Sequence, residues 1–111
     1  MNAASVDVEQ EGGAHVARFS GDLDIASAPA LQREVLAATS AAELLVLDLS
    51  DVAWVDSTGL RLLDDLTRTF EARGADVRIV APADVPARFT LDLSAWRPEL
   101  VVGRMSDALA R

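Results

Sequence analysis

Four consecutive residues, Asp56-Ser57-Thr58-Gly59, bring together a carboxylate, two hydroxyls and a glycine. The segment follows an apolar run and precedes an amphipathic stretch, which predicts that it joins a buried strand to a helix. The first backbone N–H groups of a helix are unpaired and the helix dipole is positive there, so an anion is favoured. A hydroxyl at this position either caps the helix or accepts a phosphoryl group. Local chemistry leaves both interpretations open.

A phosphate at this segment would add roughly −1.5 to −2 charges. Two further carboxylates, Asp22 and Asp24, follow a predicted strand and are expected near the same edge of the sheet as Asp56. We therefore expect phosphorylation to change the surface far more than the fold.

Enzymatic alternatives fit the sequence poorly. Asp22-Leu23-Asp24 has the Asp-x-Asp spacing of a phosphatase nucleophile, but that chemistry needs Mg²⁺-binding carboxylates on a much larger scaffold. The favoured interpretation is an exposed turn with helix-capping acids. An aspartic protease needs two Asp-Thr/Ser-Gly loops in an all-β frame. His15, the single histidine, is expected to face solvent in a strand. No catalytic residue, metal site or cofactor is predicted.

Composition restricts the partners. The chain has 111 residues, enough for one domain over 1–111, and a net charge of −8 from 18 acidic and 10 basic residues. Such a charge disfavours nucleic acid and anionic membranes, so a protein partner is expected to offer Arg or Lys. The absence of Cys excludes disulfides and thiolate sites. Neither a signal peptide nor a long apolar span is visible, and a cytoplasmic location is expected.

The periodicity predicts an α/β domain with a mostly parallel sheet after an initial hairpin. Ser27 is expected to N-cap the first helix, Trp54 and Trp96 to pack in the core or at its edge, and Gly74 to end the second helix. The predicted strands are 6–9, 15–19, 44–49, 77–81 and 100–102, and the predicted helices follow Ser27, follow Gly59, span about 85–93 and form a terminal turn at 106–109.

From Phe19 to Leu109 the sequence resembles the bacterial anti-sigma factor antagonists, also called anti-anti-sigma factors, which are single STAS domains. The resemblance implies a STAS-like fold, with a mixed four- to five-stranded sheet, an N-terminal hairpin and helices packed on one side. The segments that carry it are, in order, Gly21-Asp22-Leu23-Asp24, Ala28-Pro29-Ala30-Leu31, Leu47-Asp48-Leu49-Ser50-Asp51-Val52, Val55-Asp56-Ser57-Thr58-Gly59-Leu60 and Leu91-Asp92-Leu93-Ser94.

The resemblance implies a non-enzymatic regulator of transcription. Its members bind an anti-sigma factor that is also a serine kinase of the GHKL type, and they are released when that kinase phosphorylates them; a serine phosphatase restores binding. Ser57 is the first choice of acceptor and Thr58 the second, with Asp56 orienting the hydroxyl or groups of the kinase. The partner-binding residues implied are Asp22, Asp24, Asp56, Ser57, Thr58, Gly59, Leu60 and Arg61.

Arg61 departs from the family pattern, which often has Gly at this position. Three consequences stay open: recognition of a different kinase, an arginine close to the phosphate, or a domain that is not phosphorylated at all. The alternative function is a constitutive STAS adaptor, such as the small cytoplasmic subunit of a lipid-transport ABC system.

Overall fold

The computed structural model describes residues 3–39 and 41–110. The predicted alternation of strands and helices is confirmed, but the two hairpin strands and the central strand predicted at 44–49 are longer than predicted. The elements are β1 Ser5–Glu11, β2 Ala14–Leu23, α1 Ala28–Ala38, β3 Leu44–Val55, α2 Ser57–Ala72, β4 Asp76–Val80, α3 Pro86–Ser94, a 3-10 turn Pro98–Leu100, β5 Val101–Val102 and α4 Met105–Leu109.

The strands form one mixed sheet in the order β1-β2-β3-β4-β5. Strands β1 and β2 pair antiparallel as the predicted hairpin, and each later pair is parallel. In β3 every side chain from Leu44 to Leu49 is buried, as the apolar run predicts for a strand covered on both faces. Because β2 and β3 are parallel, their carboxyl ends lie side by side, with Leu23 paired to Val55.

Helices α1, α2 and α3 cover one face of the sheet, as expected, but the short helix α4 is an exception. Ala108 of α4 packs on the opposite face, in a cluster with Val16, Val46 and Val80. Because β3 is apolar on both faces, its second face also needs a cover, and α4 supplies it.

Ser27 lies at the N-cap position of α1 but does not cap the helix, so that prediction is wrong. Its backbone is already helical, and its hydroxyl donates to the carbonyl of Asp22 at 2.9 Å. The Asp24 carboxylate instead accepts from the N–H groups of Ala26 and Ser27, at 3.0 and 3.1 Å. Asp24 therefore closes the turn between β2 and α1, as expected of a turn acid.

Helix α2 is amphipathic and buries Leu62, Leu63, Leu66 and Phe70 against the sheet. Gly74 follows its last turn with a φ of 85°, and its N–H donates to the carbonyl of Glu71, which confirms the predicted helix end.

The connection after α3 is tied to the outer side of α2. The Trp96 indole Nε1 donates to Asp64 at 3.0 Å, and Arg97 bonds Glu71 at 2.8 Å. Hydrogen bonds from Arg97 and from the backbone hold the pKa of Glu99 below its usual range. The contacts of Trp96 and Arg97 thus join this connection to α2 at Asp64 and Glu71.

The glycine at position 59 sets how closely α2 approaches the sheet. A Cβ on Gly59 would lie far inside van der Waals contact with the carbonyl oxygen of Leu23, whereas a Cβ on Gly103 would meet nothing within 4 Å. Because the obstacle is backbone, the helix itself would have to move.

We expect Gly59→Ala to lower the free energy of unfolding by about 2 kcal/mol, the usual cost of overpacking. Urea unfolding followed by circular dichroism measures the change. The matched control, Gly103→Ala, should stay within about 0.5 kcal/mol of the wild type. Equal effects of the two substitutions would contradict the close approach of α2 to β2.

Candidate functional site at the start of helix α2

The start of α2 is built on the carboxyl ends of β2 and β3. The Asp56 N–H donates to the Leu23 carbonyl at 3.2 Å, and Gly59 packs against the same residue. In parallel sheets this edge is where ligands and modifications gather. The absence of a Cβ at Gly59 therefore allows close packing of the helix on the sheet.

Asp56 is the N-cap of α2. Its backbone is extended, with φ −98° and ψ −171°, and its Oδ1 accepts from the Gly59 N–H at 2.9 Å. The Asp56 carbonyl accepts from the Leu60 N–H at 2.9 Å, the first bond of the helix. A carboxylate is a favoured cap and its charge complements the positive end of the helix dipole. The interpretation of Ser57 or Thr58 as the cap is therefore wrong.

Ser57 and Thr58 occupy the first two helical positions, beyond the cap. Ser57 is exposed and Thr58 is half-buried. Among residues 3–39 and 41–110, neither hydroxyl forms a hydrogen bond. The Gly59 N–H, which a capping hydroxyl would accept from, donates to Asp56 instead. Both hydroxyls are thus available to an incoming group without loss of the helix cap.

Beside these hydroxyls lies a groove between α1 and α2, with a volume of about 200 Å³. Its wall is largely apolar, and Ile25, 75% exposed, forms its rim. The lining residues are Ile25, Ala28, Pro29, Gln32, Thr58, Arg61, Leu62 and Asp65. A hollow that shares Ile25, Thr58 and Arg61 with this groove is lined by Ile25, Ser57, Thr58 and Arg61. We call the first the α1–α2 groove and the second the hydroxyl hollow.

Ile25, 75% exposed, is among the groove residues that the sequence did not predict as part of the site. The available signal was a large apolar side chain in a predicted polar turn, directly after Asp24. Because isolated exposed apolar residues are common on protein surfaces, this signal alone does not select Ile25. The fold gives Ile25 its significance by placing it beside Ser57 and Thr58.

Other predicted partner-binding residues lie at the same edge but outside both cavities. Asp24 closes its own turn, and Asp22 pairs in register with Trp54, which is 59% exposed. Leu60 is half-buried and packs on the core. The structure therefore brings Ser57, Thr58 and Arg61 into one concave surface and leaves Asp22, Asp24 and Leu60 beside it.

Arg61 is exposed and lines both cavities. In the part of the chain that the structure describes, its guanidinium forms no ion pair, although Arg18, Arg68, Arg88, Arg97 and Arg104 each do. The site thus has a cation without an acidic neighbour in contact.

Other expected features have mixed outcomes. His15 is half-buried, and its Nδ1 is buried without a hydrogen-bond partner among the described residues, so the histidine does not simply face solvent as expected.

The ranges 3–39 and 41–110 contain no group of three or more acidic or histidine side chains suited to a metal ion. None of the helices described has the length and apolar character of a membrane span.

The capping arrangement predicts how two neighbouring substitutions differ. Asp56→Ala should lower the free energy of unfolding by about 1 kcal/mol, because it removes the acceptor for Gly59 N–H. Ser57→Ala should leave it within about 0.5 kcal/mol of the wild type. Urea unfolding at neutral pH measures both, and a loss confined to Ser57→Ala would contradict the assignment of the cap.

Solved structures with a similar fold include regulators and a transporter. A crystal structure of an anti-sigma factor antagonist from Mycobacterium paratuberculosis is 28% identical with a TM-score of 0.81, covering 96% of this chain and 92% of that one. The Bacillus cell fate determinant SpoIIAA, in its phosphorylated form, is 15% identical with a TM-score of 0.69, covering 93% and 94%. The murine Solute Carrier 26 family member A9 anion transporter is 21% identical with a TM-score of 0.73, covering 98% of this chain and 22% of that one.

The likenesses below 25% identity concern the fold alone. No curated protein matches the sequence of this chain. The family model described as the STAS domain matches residues 5–99, which include the whole sheet except β5 and both walls of the α1–α2 groove. This chain therefore belongs to the STAS domain family.

Proposed function

We propose that this chain is an anti-sigma factor antagonist controlled by phosphorylation of Ser57 or Thr58. It binds a serine-kinase anti-sigma factor of the GHKL type when unphosphorylated, and phosphorylation releases it. The observation that carries the proposal is that Asp56 caps α2, so that neither the Ser57 nor the Thr58 hydroxyl is needed for the cap. In this role the chain is a kinase substrate and a binding partner, and it catalyses no reaction.

The acceptor chemistry fits the geometry. The hydroxyl oxygen of Ser57 or Thr58 attacks the γ-phosphorus of ATP, its proton passes to a base of the kinase, and ADP leaves with the electrons of the broken bond. An accessible hydroxyl at the first turn of α2 can reach a kinase site without unfolding the helix. The added anion also lies at the positive end of the helix dipole, so the fold tolerates it.

The surroundings explain how a phosphate would release a partner. A complex that covers the α1–α2 groove removes Ile25 and the exposed Pro29 from water, which favours association. A phosphate at its edge would have to be buried as a dianion, and the desolvation of a buried charge is costly even when a cation pairs with it. Phosphorylation at this place therefore changes affinity while leaving the core of the domain intact.

The comparisons support the proposal through regulators of the same fold. The Mycobacterium paratuberculosis protein, at 28% identity over nearly the whole chain, is an anti-sigma factor antagonist. The Bacillus protein exists in a phosphorylated form. Under the proposal, this chain acts in the bacterial cytoplasm on transcription, and a serine phosphatase returns it to the binding state.

Phosphate mapping tests the modification. After incubation with GHKL-type anti-sigma kinases and ATP, mass spectrometry should find phosphate on Ser57 or Thr58. The double variant Ser57→Ala/Thr58→Ala should remain unmodified, while Ser94→Ala, an exposed serine of α3, should be modified like the wild type. Absence of phosphate from both hydroxyls, together with no binding to any such kinase, would contradict the proposal.

A charge substitution tests the release. Ser57→Asp should weaken binding to the kinase about tenfold, measured by calorimetry, because about 1.4 kcal/mol of desolvation and repulsion corresponds to that factor. Ser57→Ala/Thr58→Ala, which lacks both acceptor hydroxyls, should bind like the wild type and resist release by ATP. The matched control, Ser94→Asp, should leave affinity unchanged. Equal binding by the wild type and Ser57→Asp, with no modification by the kinase, would favour the constitutive adaptor.

A further inference from the structure

We propose that Arg61 forms an ion pair with the phosphate once Ser57 or Thr58 is phosphorylated, and so positions it over the hydroxyl hollow. The inference rests on the proposed modification site and concerns what the phosphate does within the protein itself. Arg61 acts here as a positioning residue for the modified state.

Helical spacing places Arg61 between the two hydroxyls. With about 100° per residue, Arg61 lies about 40° from Ser57 and about 60° from Thr58 on the helix surface, one turn further along. The separations are i,i+4 and i,i+3, at which side chains meet. Side chains of a helix also tilt toward its N-terminus, so the guanidinium extends toward the first turn. The hydroxyl hollow, lined by all three residues, shows this convergence.

No ion pair holds Arg61 elsewhere among the described residues. Two acids on its own helix follow within reach of Arg61. Asp64, three residues later, pairs with Arg68 at 3.0 Å, and Asp65, four residues later, lines the α1–α2 groove. An acid on the C-terminal side of a basic residue is the less favourable i,i+4 order, and Arg61 and Asp65 form no ion pair. A phosphate at Ser57 or Thr58 would stand on the favourable, N-terminal side of Arg61.

The other charges near the hollow are acidic. Asp56 caps α2, Asp24 closes the turn before α1, and Asp65 lines the groove. Among the residues that line the α1–α2 groove or the hydroxyl hollow, Arg61 alone is cationic. Since guanidinium and phosphate bind through charge-assisted hydrogen bonds, Arg61 is the group in this surface that can neutralise a phosphate.

The pairing gives phosphorylation a second effect. Arg61, drawn toward the phosphate, becomes unavailable to a partner, and its side chain covers the hollow beside Ile25. The phosphorylated surface thus differs from the unmodified one in three ways: it carries a phosphate, Arg61 is bound to that phosphate, and the apolar rim at Ile25 is covered.

A phosphorus-31 NMR titration tests the pairing without any kinase or partner. Phosphoserine at position 57, or phosphothreonine at position 58, is introduced during translation, and the second pKa of the phosphate is measured in the folded protein. Arg61→Gln should raise this pKa by about 0.3 of a pH unit, because the cation that favours the dianion is lost. Arg61→Lys, which keeps the charge, should retain most of the lowered pKa.

Arg33→Gln is the matched control, since Arg33 is an exposed arginine on α1 outside both cavities. It should leave the phosphate pKa unchanged, and the effect of Arg61→Gln should vanish when the protein is unfolded in urea. Equal pKa values for the wild type and Arg61→Gln in both phosphorylated proteins, with circular dichroism showing an intact fold, would overturn the inference. The proposed function fails separately, if kinases neither bind nor modify the chain.

Discussion

The hydrogen bond from the Gly59 N–H to the Asp56 carboxylate is the interaction on which the site depends. It starts α2 directly at the end of β3, and it holds the first turn against the Leu23 carbonyl, where only a glycine fits at position 59. Asp56 donates its own N–H to the same Leu23, so one turn of helix is fixed from both sides. Because Asp56, which precedes the helix, accepts the hydrogen bond from the Gly59 N–H, the hydroxyls of Ser57 and Thr58 are not needed to cap α2.

Because capping and the two hydroxyls are assigned to different residues, the start of α2 can stabilise the fold and also form a regulated contact. Below the first turn, Leu62, Leu63 and Leu66 are packed in the core, and the outer contacts of Trp96 with Asp64 fasten the helix further along. A charge added at the first turn therefore lies on a helix that is packed against the core, and its effect falls on the adjacent groove. The core of the domain therefore stays unchanged on phosphorylation, while the surface beside the groove gains a phosphate that Arg61 binds.

The sequence predicted the order of elements and the location of the site, because apolar periodicity and glycine positions are local signals. It failed where two side chains compete for one role. Ser57 has a good capping hydroxyl, yet Asp56 caps α2. The Ser27 hydroxyl bonds the Asp22 carbonyl, while Asp24 closes the turn before α1. Ile25 and the position of α4 depend on which elements the fold brings together, and no local pattern records that.

The protection of one amide tests the central claim most directly. Hydrogen exchange measured by NMR at neutral pH should show the Gly59 amide protected in the wild type and in Ser57→Ala, and exchanging several times faster in Asp56→Ala, because about 1 kcal/mol of capping corresponds to a factor of about five. Unchanged Gly59 exchange in Asp56→Ala, with faster exchange in Ser57→Ala, would contradict the account. In that case the serine hydroxyl would hold the helix start and would not be available to a kinase.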